Sequence, residues 1–124
     1  MAKETAAEYF IGTDHQFVYE ILNEGETAAI NIASWTLSWM VKRRKSDADV
    51  DAVLTKTTTS GIAIDGTFNA TPGTNTQVAT VTVDDTDTLT LPPGSYYAEL
   101  KRTDAGFETV LAYGVLTIKR GVHR

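Results

Sequence analysis

The chain has 124 residues, a formal net charge of −5 and no cysteine. Its length is typical of one domain, so we predict a single domain over residues 1–124. The lack of cysteine excludes disulfides, cysteine-ligated metals and thiol nucleophiles. Because phosphate contacts need clustered Lys and Arg, the acidic balance disfavours nucleic acid as a partner. No apolar run approaches the ~20 residues of a membrane span, so no membrane partner is predicted.

Alternation of apolar and polar residues predicts strands along most of the chain. In chain order, the alternating segments are Phe17–Leu22, Trp35–Val41, Ala79–Val83 and Tyr96–Lys101, and Val110–Ile118, which is apolar at nearly every position, is predicted to be a central strand. About twenty threonines and many other β-branched residues also favour a pleated backbone. Ser46–Val53 is predicted to be a loop or a single helical turn, and no segment predicts a longer helix.

Turns rich in Gly, Asn, Asp and Pro separate these segments at short spacing. Asp104–Gly106 is predicted to join the last two strands as a hairpin loop. Seven to eight short strands with regular turns favour an antiparallel β-sandwich. Gly114, inside an apolar strand, predicts a bulge or a close backbone approach. Residues 1–8 and 121–124 fall outside the strand pattern and are predicted to be flexible arms.

The strongest candidate for a partner contact is a run of four basic residues. The run comprises Lys42, Arg43, Arg44 and Lys45. It is suited to docking on an acidic protein surface or a phosphate. The alternative, which we favour, is a solvated loop neutralised by the aspartates at positions 47, 49 and 51.

The other polar clusters are better explained by structural roles than by metal binding or catalysis. Asp84, Asp85 and Asp87 carry oxygens that Ca²⁺ accepts, but their spacing is not that of a calcium loop and aspartates favour turns. Asp14–His15 resembles a general base with an orienting carboxylate, but the sequence contains no Gly-x-Ser-x-Gly motif that would supply a nucleophile. We therefore predict a surface position for His15, no catalytic activity, no bound metal and no cofactor.

Aromatic residues offer one further candidate contact. Trp35 and Trp39 share a face with Leu37, which favours the core over a sugar-stacking platform. Tyr97 shares its face with Glu99 and is the better candidate for an exposed contact. Binding of a glycan would need a common surface for Tyr97, Tyr113 or Phe107.

Four segments together resemble the small immunoglobulin-like virion proteins of tailed bacteriophages. The segments are Asn31–Trp39, Asp85–Leu89, Leu91–Gly106 and Leu111–Ile118. The third has the form Leu-x-x-Gly-x-Tyr-x-x-x-Leu-x-Arg-x-Asp-x-Gly, and the N-terminal domains of phage baseplate upper proteins look similar. The resemblance implies an immunoglobulin-like fold in which Tyr96 bonds back to the backbone, as in a tyrosine corner.

The resemblance also implies a non-catalytic virion protein that is assembled in the host cytoplasm. Baseplate proteins continue into long receptor-binding regions, whereas this sequence ends at Arg124. We therefore expect a head decoration or accessory protein that binds the capsid lattice, with the neck, tail or baseplate as alternatives. Its expected partners are phage capsid or tail proteins. A homo-oligomer and a cell-surface glycan, bound in an adhesion role, remain open.

Overall fold

Nine β-strands form in residues 3–121, which are the residues that the computed structural model describes. The strands are β1 (Lys3–Glu4), β2 (Ala7–Phe10), β3 (His15–Tyr19), β4 (Leu37–Lys42), β5 (Leu54–Thr57), β6 (Ile62–Asp65), β7 (Val78–Val83), β8 (Gly94–Arg102) and β9 (Thr109–Lys119). Two 3-10 turns, Asp49–Asp51 and Asp85–Asp87, are the helical elements of these residues. The first confirms the single helical turn predicted within Ser46–Val53. The strand number exceeds the predicted seven to eight.

The strands form two sheets. In the larger sheet, β1 and β2 both pair with β9, and the order continues through β8 and β4 to β5. The smaller sheet has the order β3-β7-β6. All pairs are antiparallel except those of β1 and β2 with β9. Buried residues from both sheets form one hydrophobic cluster, so the fold is all-β and sandwich-like.

Strand β4 shows how the sequence directs side chains into this core. Leu37, Trp39 and Val41 are almost fully buried, while the residues between them are half-buried on the opposite face. This alternation follows from the two-residue period of a strand. The predicted inward face of this segment is therefore confirmed for its strand residues. Trp35 precedes the strand and is half-buried against the core.

The predicted N-terminal arm is wrong for the part of it that the structure describes. Residues 3–4 and 7–8 belong to β1 and β2, which run parallel to β9. Between them, the Thr5 N–H donates to the Tyr113 carbonyl at 2.7 Å. The lack of a side chain at Gly114 permits this pairing, because a Cβ there would overlap the Thr5 carbonyl. Residues 1–2 and 122–124 of the predicted arms lie outside the described residues.

The predicted features of the β8–β9 hairpin are also present. The Phe107 N–H donates to the Asp104 carbonyl at 2.9 Å, and Gly106 has a φ of +83°, which closes the loop. The close backbone approach predicted at Gly114 is confirmed, whereas the register shift between β8 and β9 lies at Leu100/Lys101. The buried Tyr96 hydroxyl donates to the Pro92 carbonyl at 2.6 Å, as the tyrosine-corner prediction requires.

Candidate functional site

The basic run begins where β4 ends, and its loop partly neutralises it. The Lys42 ammonium lies 2.6 Å from the Asp49 carboxylate and also donates to the Asp47 carbonyl at 3.0 Å. The Asp47 carboxylate accepts a hydrogen bond from the Arg44 backbone N–H at 3.2 Å. The neutralised-loop interpretation therefore holds for Lys42. Among residues 3–121, no carboxylate forms a salt bridge with the side chains of Arg43, Arg44 or Lys45.

A groove of about 270 Å³ on the outer face of β4, β8 and β9 brings several of the candidates together. We call it the basic groove. It is lined by Ser38, Met40, Lys42, Lys45, Asp49, Tyr97, Glu99, Lys101, Thr103, Tyr113 and Gly114. Three of the five predicted contact residues, Lys42, Lys45 and Tyr97, lie in it, while Arg43 and Arg44 are exposed outside its lining.

Strand register determines which side chains meet in the basic groove. Tyr97 lies opposite Lys42, and Glu99 lies opposite Tyr113, so both tyrosines occupy the same face. The Lys45 ammonium lies 5.2 Å from the centroid of the Tyr97 ring, which is cation–π distance. The groove thus offers an aromatic surface with cationic groups at its margin.

The electrostatics of the basic groove differ from those of the whole chain. Its lining contains three lysines and two carboxylates, a formal charge of +1, whereas the chain carries −5. The hydrogen bond from Lys42, and then its charge, hold the pKa of Asp49 below the usual value. Asp49 therefore stays ionised and paired, which leaves Lys45 and Lys101 as the cations best placed to meet an incoming anion.

The three aspartates before β8 serve a turn, as predicted. Asp84 and Asp87 cap the second 3-10 turn reciprocally, and the Asp87 carboxylate also lies 2.8 Å from the Lys56 ammonium. Burial by itself would raise the pKa of Asp87. The hydrogen bonds from Lys56 and from the Asp84 backbone, together with the charge of Lys56, outweigh the effect of burial, so the pKa lies below its usual value. In residues 3–121, no group of three or more His, Asp or Glu is arranged around a metal position.

His15 is exposed, as predicted, and its ring contacts aromatic neighbours. Its centroid is 4.5 Å from that of Phe17 and 5.8 Å from that of Tyr9, both edge-on. The adjacent Asp14 carboxylate accepts a hydrogen bond from the Asp85 backbone N–H at 2.8 Å. Asp14 is therefore engaged in joining two loops.

The tryptophans are not arranged as a sugar platform. Trp39 is buried, stacks on Phe17 at 5.3 Å and donates from Nε1 to the Tyr19 hydroxyl at 3.1 Å. The ring of Trp35 is covered by the Arg102 guanidinium at 4.1 Å.

Arg102 also forms an aromatic cluster that the sequence did not predict. Its guanidinium lies 4.8 Å from the Phe107 ring, and its Nε donates to Asp104 at 2.8 Å. Phe107, which is 62% exposed, therefore lies in this cluster, outside the lining of the basic groove. In the sequence Phe107 is close to Arg102 but Trp35 is far from it, so no local pattern predicts that the three side chains stack.

Comparison of the sequence with protein-family models and with curated proteins finds no match. Among residues 3–121, no helix has the length and apolar character needed to cross a membrane.

Proposed function

We propose that this chain is a non-catalytic structural protein of a tailed-phage virion with an immunoglobulin-like β-sandwich fold. Within this class, the role that we propose is that of a head decoration or accessory protein that binds the capsid lattice. A position in the neck, tail or baseplate is the alternative within the same class. The observation that carries the proposal is the strand order, taken together with the residues of the resemblance.

The strand order supports the immunoglobulin-like part of the proposal. In immunoglobulin domains, strands B, E and D are neighbours in one sheet, and C, F and G in the other. Here β3-β7-β6 has the first order, and β4-β8-β9 has the second. The hydrogen bond from Tyr96 to Pro92 lies at the start of β8, where a tyrosine corner belongs. It falls within Leu91–Gly106, the segment with the most detailed resemblance to the phage proteins.

The basic groove is the surface that we assign to the virion partner. An acidic protein that presents a locally cationic groove is attracted through that groove to an acidic surface and is repelled elsewhere. Tyr97 and Tyr113 supply rigid aromatic contact area of the kind enriched at the centres of interfaces. We therefore assign the lattice contact to Lys45, Lys101 and these two tyrosines.

Localisation on the particle tests the proposal. An antibody raised against the recombinant protein would be used for gold labelling of purified virions. Label spread over the heads supports a decoration protein, and label at the neck or tail supports the alternative. The proposal is wrong if virions carry no label and their mass spectra lack the protein.

Carbohydrate binding is a second candidate, favoured by the common face of Tyr97 and Tyr113. Two aromatic rings beside lysines and a glutamate provide the stacking and hydrogen-bonding groups that a sugar uses. We expect Tyr97→Ala to abolish any glycan-array signal, while Phe107→Ala, outside the groove, leaves it unchanged. Equal signals from the two variants would exclude the groove as the glycan site.

A further inference from the structure

Strand β3 is at the end of its sheet, and no strand among residues 3–121 pairs with its outer edge. Gln16 of β3 lies opposite Thr82 of β7. Thr82 donates its N–H to Gly61, on the far side of β7. The backbone groups of Thr82 therefore point away from β3, and Gln16 and Thr82 do not exchange backbone hydrogen bonds. In an antiparallel pair, the N–H and C=O groups of successive residues point alternately toward the partner strand and away from it. It follows that the backbone N–H and C=O groups of Gln16 and Val18 point away from the sheet.

The other edge strands of the described residues carry features that discourage pairing. In β5, Lys56 faces inward and pairs with Asp87, and an inward charge is a known protection of an edge. Strand β6 has four residues and ends at Asp65. Strands β1 and β2 are short, interrupted at Thr5, and carry Lys and Glu. The five residues of β3 include no Lys, Arg, Asp, Glu or Pro, so its edge lacks these protections.

The β3 edge is also accessible. A groove of about 310 Å³ runs along it and separates it from β1 and β2. Half-buried Phe17 and Tyr19 line this groove from β3, and Ala7 and Leu111 line it from the other side. On the opposite face of β3, Val18 is 59% exposed. The edge therefore combines free backbone groups with apolar side chains on both faces.

We propose that the β3 edge is a self-association site at which β3 of a second copy pairs antiparallel about a two-fold axis at Val18. In this register the two Val18 residues lie opposite each other. Gln16 lies opposite the second copy's Glu20, and Phe17 lies opposite the second copy's Tyr19. A two-fold contact must be complementary to itself. This register meets that condition, because an amide faces a carboxylate, an aromatic ring faces an aromatic ring, and no two like charges are opposed.

Self-association about Val18 predicts a weak, concentration-dependent dimer. One strand edge buries less than the ~1,200 Å² of a standard interface, so we expect a Kd on the order of 100 μM. Sedimentation velocity over a concentration series measures it. Val18→Lys opposes two ammonium groups at the axis and should raise the Kd about tenfold. Val50→Lys makes the same charge change in the first 3-10 turn, at a residue that is 89% exposed, and should leave the Kd unchanged.

Mixing experiments test the two-fold register itself. At about 100 μM, Val18→Lys and Val18→Glu should each be largely monomeric alone. An equimolar mixture should form a heterodimer, because opposite charges then meet at the axis. Thermal unfolding checks that both variants are folded. Hydrogen exchange of the wild type gives an independent measurement, since the Val18 amide should become protected as the concentration rises. A wild type that stays monomeric with a freely exchanging Val18 amide, or a mixture without a heterodimer, would overturn the proposal.

Discussion

At Gly114 the β9 backbone lies against the backbone of Thr5, and this contact fixes the path of the N-terminal residues. The Thr5 N–H is bonded to Tyr113, so β1 and β2 can both pair with β9 on either side of this point. Any larger residue at 114 would displace the carbonyl of Thr5. The requirement for glycine here is a matter of space between two backbones that are far apart in sequence.

Gly114→Ala is therefore expected to lower the free energy of unfolding by about 1–3 kcal/mol, the usual cost of forcing extra atoms into a packed site. Urea denaturation followed by tryptophan fluorescence measures the change. Gly25→Ala is the matched control, because its nearest atom, Thr27 Cγ2, is 3.8 Å from the added Cβ. Equal stabilities of the two variants would contradict the proposed steric role.

Among the elements, β5 is joined to the rest of the molecule by an ion pair. The Lys56 side chain faces inward opposite Trp39 and reaches Asp87 in the second 3-10 turn. Both side chains are mostly buried, so solvent screens this pair less than the exposed pair of Lys119 with Glu8. The pair connects β5 of the larger sheet with the loop that leads from β7 of the smaller sheet into β8.

This pair gives stability a defined dependence on pH. The pKa of Asp87 lies below its usual value of 3.8 in the folded protein. Its contribution is therefore complete above the unfolded pKa and is lost as the pH falls through the folded pKa. We expect Asp87→Asn to lose stability near neutral pH and to show a weaker decline than the wild type on acidification below about pH 4.

Urea denaturation across this acidic range tests the prediction. Asp65→Asn, which removes an exposed carboxylate at the end of β6, is the control. If Asp87→Asn and wild type declined in parallel, the pair would not be the source of the dependence.

For the whole molecule, charge distribution is the feature that bears on function. An overall charge of −5 accompanies a groove whose lining sums to +1. In the proposed virion protein, the net negative charge of the chain is repelled by an acidic partner surface, while the lysines of the basic groove are attracted to it. Together these forces would orient the basic groove toward that surface. The β3 edge lies on the smaller sheet, whereas the basic groove lies on the larger sheet, so the proposed self-association and the proposed lattice binding would use different surfaces.

We expect Lys45→Glu to weaken binding of the purified protein to particles that lack it by about tenfold, since it reverses a charge at the groove margin. The loss should shrink at high ionic strength, where exposed charges are screened. Arg120→Glu makes the same charge change at an exposed residue after β9 and should have little effect. Comparable losses in both variants would show that net charge alone governs attachment.

The sequence by itself determined the features that depend on neighbours along the chain. The alternation in Trp35–Val41 predicted the buried face of β4, and the turn residues predicted the β8–β9 hairpin. The resemblance over Leu91–Gly106, with its tyrosine-corner analogy, implied the bond of Tyr96. It also placed Lys42, Lys45 and Tyr97 among the candidate contacts. Side-chain direction in a strand and backbone preference in a turn are local properties, so a single sequence carries them.

Only the tertiary structure decided which of these segments meet. Residues 3–10 lack strong alternation, and they form strands because the β9 backbone is available beside Gly114. The register between β8 and β9 places Tyr113 near Tyr97, and the same sheet leaves Arg43 outside the groove. The free edge of β3 likewise depends on which strands remain unpaired. Pairing partners are far apart in sequence, and a local pattern contains no information about which of them pair.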